Sequence, residues 1–146
     1  MTNATSIDFT WKYSQGSGNA FKPTGLWYAL NNEWLDWCAS EMPGWRKKNL
    51  FTLELDMSTI LTISNPEELN NFCKKYTKAF QYYSYFQAID WWEVAKKYGG
   101  IELLNYHTLK WQSDMMAPIW VNGWDVNGGC IWDLKVIKNY VTDHEN

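Results

Sequence analysis

Residues 124–133, WDVNGGCIWD, combine side chains that could do chemistry with a backbone that could position them. Asp125 follows Trp124, and Gly128-Gly129 come after two intervening residues. Glycine lets a backbone or ligand approach closely, and CIW reads as a short buried strand. A carboxylate held between an indole and a glycine turn, at the mouth of a strand, makes the corner of a ligand pocket. A second block, KPTGLW at residues 22–27, offers complementary parts. Pro23 stiffens the approach to a strand, Gly25 permits close contact, and Trp27 presents a flat face. The plainer reading of KPTGLW is a loop-to-strand junction.

Other chemistries find little support. His107 and His144 have no Cys or Asp partners at metal-ligand spacing. Cys38, Cys73 and Cys130 are widely spaced, odd in number and without a CxxC, which argues against a disulfide framework or zinc site. Cys38 and Cys130 sit in apolar surroundings, so inert thiols are expected. There is no G-x-S-x-G, no P-loop and no G-x-G-x-x-G. What survives is a pocket of aromatics, a few polar groups and one or two carboxylates.

Composition bounds the setting. The 146 residues suit one domain spanning 1–146. A hydrophobic content of 46% with 20% charged residues is that of a globular chain. The net charge of −3 argues against a nucleic-acid binder with a broad basic face. Arg46-Lys47-Lys48 with tryptophan stacking leaves a local nucleic-acid contact as a minor alternative. The N-terminal stretch lacks a signal-peptide pattern, and no apolar run is long enough for a membrane span. A cytoplasmic protein that does not enter membranes is expected. Eleven tryptophans are the compositional outlier. Most are expected in the core, and the remainder could wall a site for a flat ligand.

The elements that must position these residues can be read from periodicity. Strands are expected at 6–13, 24–30, 49–55, 58–63, 100–104 and 129–134. Turn residues fill 14–19. A short helix should follow Asn32 as N-cap, with Trp34, Trp37 and Cys38 on one face and Pro43-Gly44 ending it. Ser64-Asn65-Pro66-Glu67 resembles a capping box, and Leu69, Phe72, Cys73, Tyr76 and Phe80 form the apolar face of the helix behind it. Asp90 and Glu93 form a second capping pattern, with Gly99 as the C′ residue of that helix. Residues 82–86 are ambiguous, 105–122 read as an irregular, functional loop, and a polar tail starts at about 139. Strands and helices arranged this way favour an α+β fold over a doubly wound sheet.

Three blocks together carry a family resemblance: KPTGLWYALNNEWLDWC, IDWWEVAKKYGGI and WDVNGGCIW. In this order the chain resembles a group of small bacterial and phage proteins, and that group resembles the ADP-ribosyltransferase superfamily. The resemblance implies a split mixed or antiparallel sheet with two to three helices. It also implies NAD as cosubstrate and a protein or nucleic-acid target. A toxin or phage-conflict, anti-defence role follows, with a cognate antitoxin or a defence complex as a further partner. Asp125 would be the catalytic acid, stabilising the positive ribose formed as the nicotinamide bond breaks, as in glycoside hydrolysis. Lys12, Tyr13, Lys22, Gly25, Trp27, Tyr28 and Trp124 would bind the cofactor, with Trp27 and Tyr28 as walls. The chain departs from the pattern in several places. Its early strand has no His or Arg, leaving Thr10, Lys12 or Tyr13 as stand-ins. Ala29 and Gly128 stand where relatives tend to have Ser, Gly99 where they have Asp, and GGCIWD contains no Glu. The alternative is a catalytically inactive binding or inhibitor protein on the same fold.

Overall fold

The glycine-rich block forms the second strand of a four-stranded sheet. The computed structural model describes residues 7–16, 22–45, 49–78, 88–111 and 119–144. The sheet runs β1 (Leu26–Ala29), β7 (Gly128–Ile131), β6 (Gly100–Leu103), β3 (Ile60–Ile63). β1–β7 and β7–β6 are antiparallel, while β6–β3 is parallel. A parallel pair needs a long crossover. Here it carries α2 (Pro66–Tyr76), the short antiparallel pair β4 (Thr77–Lys78) and β5 (Ala88–Ile89), and α3 (Trp91–Lys97). The architecture is α+β with mixed and antiparallel sheets, as expected. Four α-helices are present among the described residues, against the two to three expected; the others are α1 (Glu33–Ser40) and α4 (Tyr106–Trp111).

Both faces of the sheet are covered, so every residue of β6 and β7 is buried. Alternation along the strands sends Ile63, Ile101 and Leu103 to one face. There they meet Leu69 and Phe72 of α2, Trp91 and Val94 of α3, Leu109 of α4, and Trp120, Trp124 and Trp132. Leu26, Tyr28, Ile60 and Ile131 face the other way, against Leu134 and Val136 and half-buried Leu53, Leu55 and Ile137. The last three belong to the two-stranded ribbon of β2 (Asn49–Leu55) with β8 (Ile137–His144).

Local capping explains the helix starts. The Asn65 side chain accepts from Glu68 N–H at 2.9 Å and its amide donates to Glu68 Oε1 at 2.6 Å, with Pro66 in the first turn. The reciprocal cap therefore begins at Asn65 and not at Ser64. Asp90 accepts from Glu93 N–H at 3.3 Å. Asn32 caps α1 without a side-chain hydrogen bond.

Several expectations are corrected. Of the strand expected at 6–13, residues 7–13 contribute a single bridge, Lys12 to Asp133. The Asp8 carboxylate accepts from both the N–H and hydroxyl of Thr10, and this local turn displaces strand pairing. β3 starts at Ile60 because Asp56 caps a 3₁₀ turn at Met57–Thr59. Gly99 is not a left-handed helix end, since no described glycine has positive φ. It is needed for room: an added Cβ would lie 2.7 Å from Val136 Cγ1. The irregular stretch expected at 105–122 contains α4 and a 3₁₀ turn at Ile119–Gly123. The polar tail expected from about 139 is most of β8, paired with β2. Its polarity reflects exposed side chains, because backbone hydrogen bonds build the ribbon. Phe80, Pro118, residues 17–19 and 82–86, and the Arg46-Lys47-Lys48 run lie outside the described residues.

Candidate functional site

A cavity of about 210 Å³ opens beside β1, the edge strand of the sheet. β1 supplies Trp27, Tyr28 and Ala29; the segment ahead of it supplies Lys22. The turn after the 3₁₀ segment brings Trp124 and Asp125, α1 brings Trp34, and the Pro43–Trp45 turn brings Trp45. Five of the eight expected site residues thus meet in one cavity: Lys22, Trp27, Tyr28, Trp124 and Asp125.

The walls are fixed by specific contacts. Trp124 donates its indole N–H to the Gly128 carbonyl at 3.0 Å and meets Trp27 edge-on, with centroids 4.7 Å apart. Trp34 stacks on Trp37 at 5.1 Å, and Trp45 leans on both. Their i, i+3 spacing places Trp34 and Trp37 on one side of α1, as the sequence indicated. The Lys22 ammonium lies 5.5 Å from the Trp27 centroid, a cation–π distance, and its methylene stem runs past Gly123. The buried indole nitrogen of Trp34 has no hydrogen-bond partner among the described residues.

Asp125 sits near Tyr106, whose phenol is raised above its ordinary range first by burial and then by the Asp125 charge. Tyr28 sends its hydroxyl the other way, across the sheet. It donates to Glu102 Oε1 at 2.9 Å, and burial followed by the Glu102 charge pushes the phenol up. Burial also raises the Glu102 carboxyl, and the Tyr28 hydrogen bond offsets part of that rise.

Three expected site residues lie elsewhere. Gly25 is packed under the strand, where an added Cβ would collide with the Ile131 carbonyl oxygen and lie 2.7 Å from Cys130 Sγ. It shapes the sheet instead of the cavity. Lys12 lines a separate cleft with Asp56, Lys96, Lys97, Asp133 and Lys135. Tyr13 donates its backbone N–H to the Trp132 carbonyl at 2.7 Å and packs against both core clusters. The bridge that holds Lys12 to Asp133 keeps this segment at the far end of β7 from Asp125.

Glu102, Trp34 and Trp45 are not among the site residues expected from sequence, although Trp34 was placed on the apolar face of the first helix. Glu102 had a signal, as a lone acid inside the apolar run GIELL; Trp45 had none, since its place depends on how the chain leaves α1. Cys38 and Cys130 are buried, as expected, and so is Cys73; burial pushes the Cys73 thiol up to about 11 and also raises that of Cys130. No group of three His, Cys, Asp or Glu side chains among the described residues is placed to hold a metal. No helix among them is long and apolar enough to cross a membrane. Compared with known proteins, the chain matches no family model, no curated protein and no solved structure.

Proposed function

We propose that this chain is an ADP-ribosyltransferase-like protein whose aromatic cavity takes the nicotinamide end of NAD for transfer to a macromolecular target, in a toxin or phage-conflict setting. One observation carries the reading. Residues from two blocks about a hundred positions apart, Trp27 with Tyr28 and Trp124 with Asp125, line the same cavity. At about 210 Å³ it is smaller than the ~300–1,000 Å³ of most small-molecule sites, so it suits one ring and not a whole dinucleotide. Trp27 and Trp124 offer flat walls to such a ring. Lys22, at the rim, is the group to meet a phosphate. NAD supplies a glycosidic bond whose cleavage leaves positive charge on the ribose. Asp125 supplies a fixed negative charge where that charge develops. The Tyr28 hydroxyl is engaged by Glu102, so Tyr28 acts as wall and not as donor.

The test is a melting experiment with NAD on the purified chain, followed by transfer of labelled ADP-ribose to lysate. A ligand present at a hundredfold its Kd adds about 2.7 kcal/mol, worth roughly 8 °C in Tm for a chain of this size. Asp125→Asn should keep most of the melting shift and lose about 100- to 1,000-fold in label transfer. Absence of both the NAD shift and transfer sinks the reading.

A second reading, a non-catalytic binding or inhibitor protein, is favoured by the cation count. Among the described lining residues Lys22 is the sole cation, with no His or Arg. Half-exposed Trp45 at the mouth then serves as an interface anchor. Trp45→Ala should abolish capture of a specific partner, such as an antitoxin or defence complex. Capture unaffected by this change counts against it.

A further inference from the structure

Lys22 places a cation on an aromatic face of the cavity. Its ammonium lies 5.5 Å from the Trp27 centroid. Two other lysines meet rings, Lys75 on Tyr76 and Lys97 on Tyr98, and each lies over its own chain neighbour. Lys22 instead reaches a ring five positions on, and its stem crosses Gly123, which comes from a distant part of the chain. An added Cβ at Gly123 would lie no more than 3.2 Å from Lys22 Cγ, Cδ and Cε, so the glycine leaves the room that the stem fills. Lys22 is exposed and Trp27 half-buried, so the ammonium can leave the ring for water without opening the core.

The rest of the lining suits a cation of another kind. Trp27, Tyr28, Trp34, Trp45 and Trp124 are its aromatic members, and Lys22 and Asp125 are the only charged lining residues among those described. Ring faces attract positive charge, most strongly where water is excluded. The walls offer few acceptors to N–H donors. Indole is a donor only, the Trp124 N–H already meets the Gly128 carbonyl, and the Tyr28 hydroxyl already meets Glu102. A primary ammonium such as that of Lys22 brings three N–H groups and holds its water strongly, which keeps it at the rim. A quaternary nitrogen has no N–H group to be matched, so it loses nothing by leaving water for walls of this kind except the hydration of its charge, which the ring faces offset.

We propose that this cavity is an aromatic cage for a quaternary nitrogen cation, and that the Lys22 ammonium occupies its Trp27 face until such a ligand displaces it. An alkylated pyridinium ring and a quaternary alkylammonium share this chemistry. The cage uses the same cavity as the reading above, but it depends neither on NAD nor on a transfer step.

The experiment is an NMR titration of the indole N–H signals of the full chain with two matched pairs of small molecules. One pair is nicotinamide methylated on its ring nitrogen against nicotinamide itself. The other is choline against its uncharged carbon isostere. At least one cation is expected to bind about tenfold more tightly than its neutral counterpart, and the tighter of the two cations identifies the source as pyridinium or alkylammonium. Lys22→Met should strengthen cation binding about two- to fivefold, because the competing ammonium is gone. Trp27→Leu should weaken it about tenfold. Lys22 is exposed, so its variant reads the cage even where Trp27→Leu fails to fold. No binding by either cation, neutral partners that bind as well as the cations, or weaker cation binding by Lys22→Met overturns the proposal. The NAD melting shift is measured on the same chain. An NAD shift without preference for the cations defeats the cage alone, and cation preference without an NAD shift defeats the NAD reading alone.

Discussion

Tyr28, Gly129 and Glu102 occupy one row across three strands. The middle position is glycine because the tyrosine ring crosses above it: an added Cβ would lie 2.7 Å from the Tyr28 hydroxyl oxygen and collide with the Ile101 carbonyl oxygen. The ring reaches a carboxylate that burial raises above the ordinary range. That rise has a definite sign in stability. The folded chain retains the Glu102 proton where the unfolded chain has released it, so stability falls as pH climbs from about 4 towards the higher folded value. Tyr28→Phe removes the hydrogen bond that favours the ionised carboxyl and moves the folded value up again. It should cost about 1–3 kcal/mol, more near pH 8 than near pH 4. Glu102→Gln should remove this group's share of the slope. Urea unfolding of the three proteins across that pH range measures both effects, and a pH-independent cost for Tyr28→Phe would contradict the assignment. Tyr28 was expected as a wall of the cofactor site, with no role given to its hydroxyl. Its actual partner lies 74 positions away, a pairing that no local pattern announces.

At the scale of elements, legibility followed the range of the stabilising interaction. α2 could be read closely because its cap, its proline and its buried face all lie within a dozen residues. α4 could not: the Tyr106 N–H at its start is satisfied by the Asn127 side chain at 2.8 Å, from 21 positions downstream. Most of β8 was read as a tail, from about 139, because NYVTDH is polar, yet its backbone pairs with β2 from His144 to Ile137. The two descriptions predict opposite outcomes for truncation. Ending the chain after Val136 removes the partner of β2 and the packing of Ile137 against the second core cluster. Stability should fall by about 2–5 kcal/mol, the range for losing one large core side chain, or more. Urea midpoints compare the two lengths; an unchanged midpoint would mean that the ribbon adds nothing to the fold.

Across the whole molecule, tryptophan adds core volume to that of the buried leucines and isoleucines. Trp91, Trp120, Trp124 and Trp132 form a connected group inside one cluster, while Trp27, Trp34 and Trp45 turn to the cavity. Buried indoles differ in how their N–H is satisfied. Trp132 donates to the Tyr98 carbonyl at 2.7 Å, whereas Trp120 has no full hydrogen bond among the described residues and meets the weakly accepting sulfur of Cys73. Both are fully buried, so phenylalanine at either site leaves a similar void. Trp132→Phe should cost about 1 kcal/mol more than Trp120→Phe, because it also removes a hydrogen bond to the partly buried Tyr98 carbonyl. Equal losses on thermal or urea unfolding would refute the distinction.

Alternating strands, one well-capped helix and the α+β class were legible from residue order. They depend on periodicity, on turn chemistry and on a few adjacent side chains. Folding in three dimensions decided the rest. It carried Lys12 and Tyr13 to the far end of β7 and put Gly25 under the sheet. It also joined Trp34 and Trp45 to the cavity and hid Glu102 behind Tyr28. Each of these outcomes depends on contacts between distant segments, and only strand order and register determine which side chains share a face.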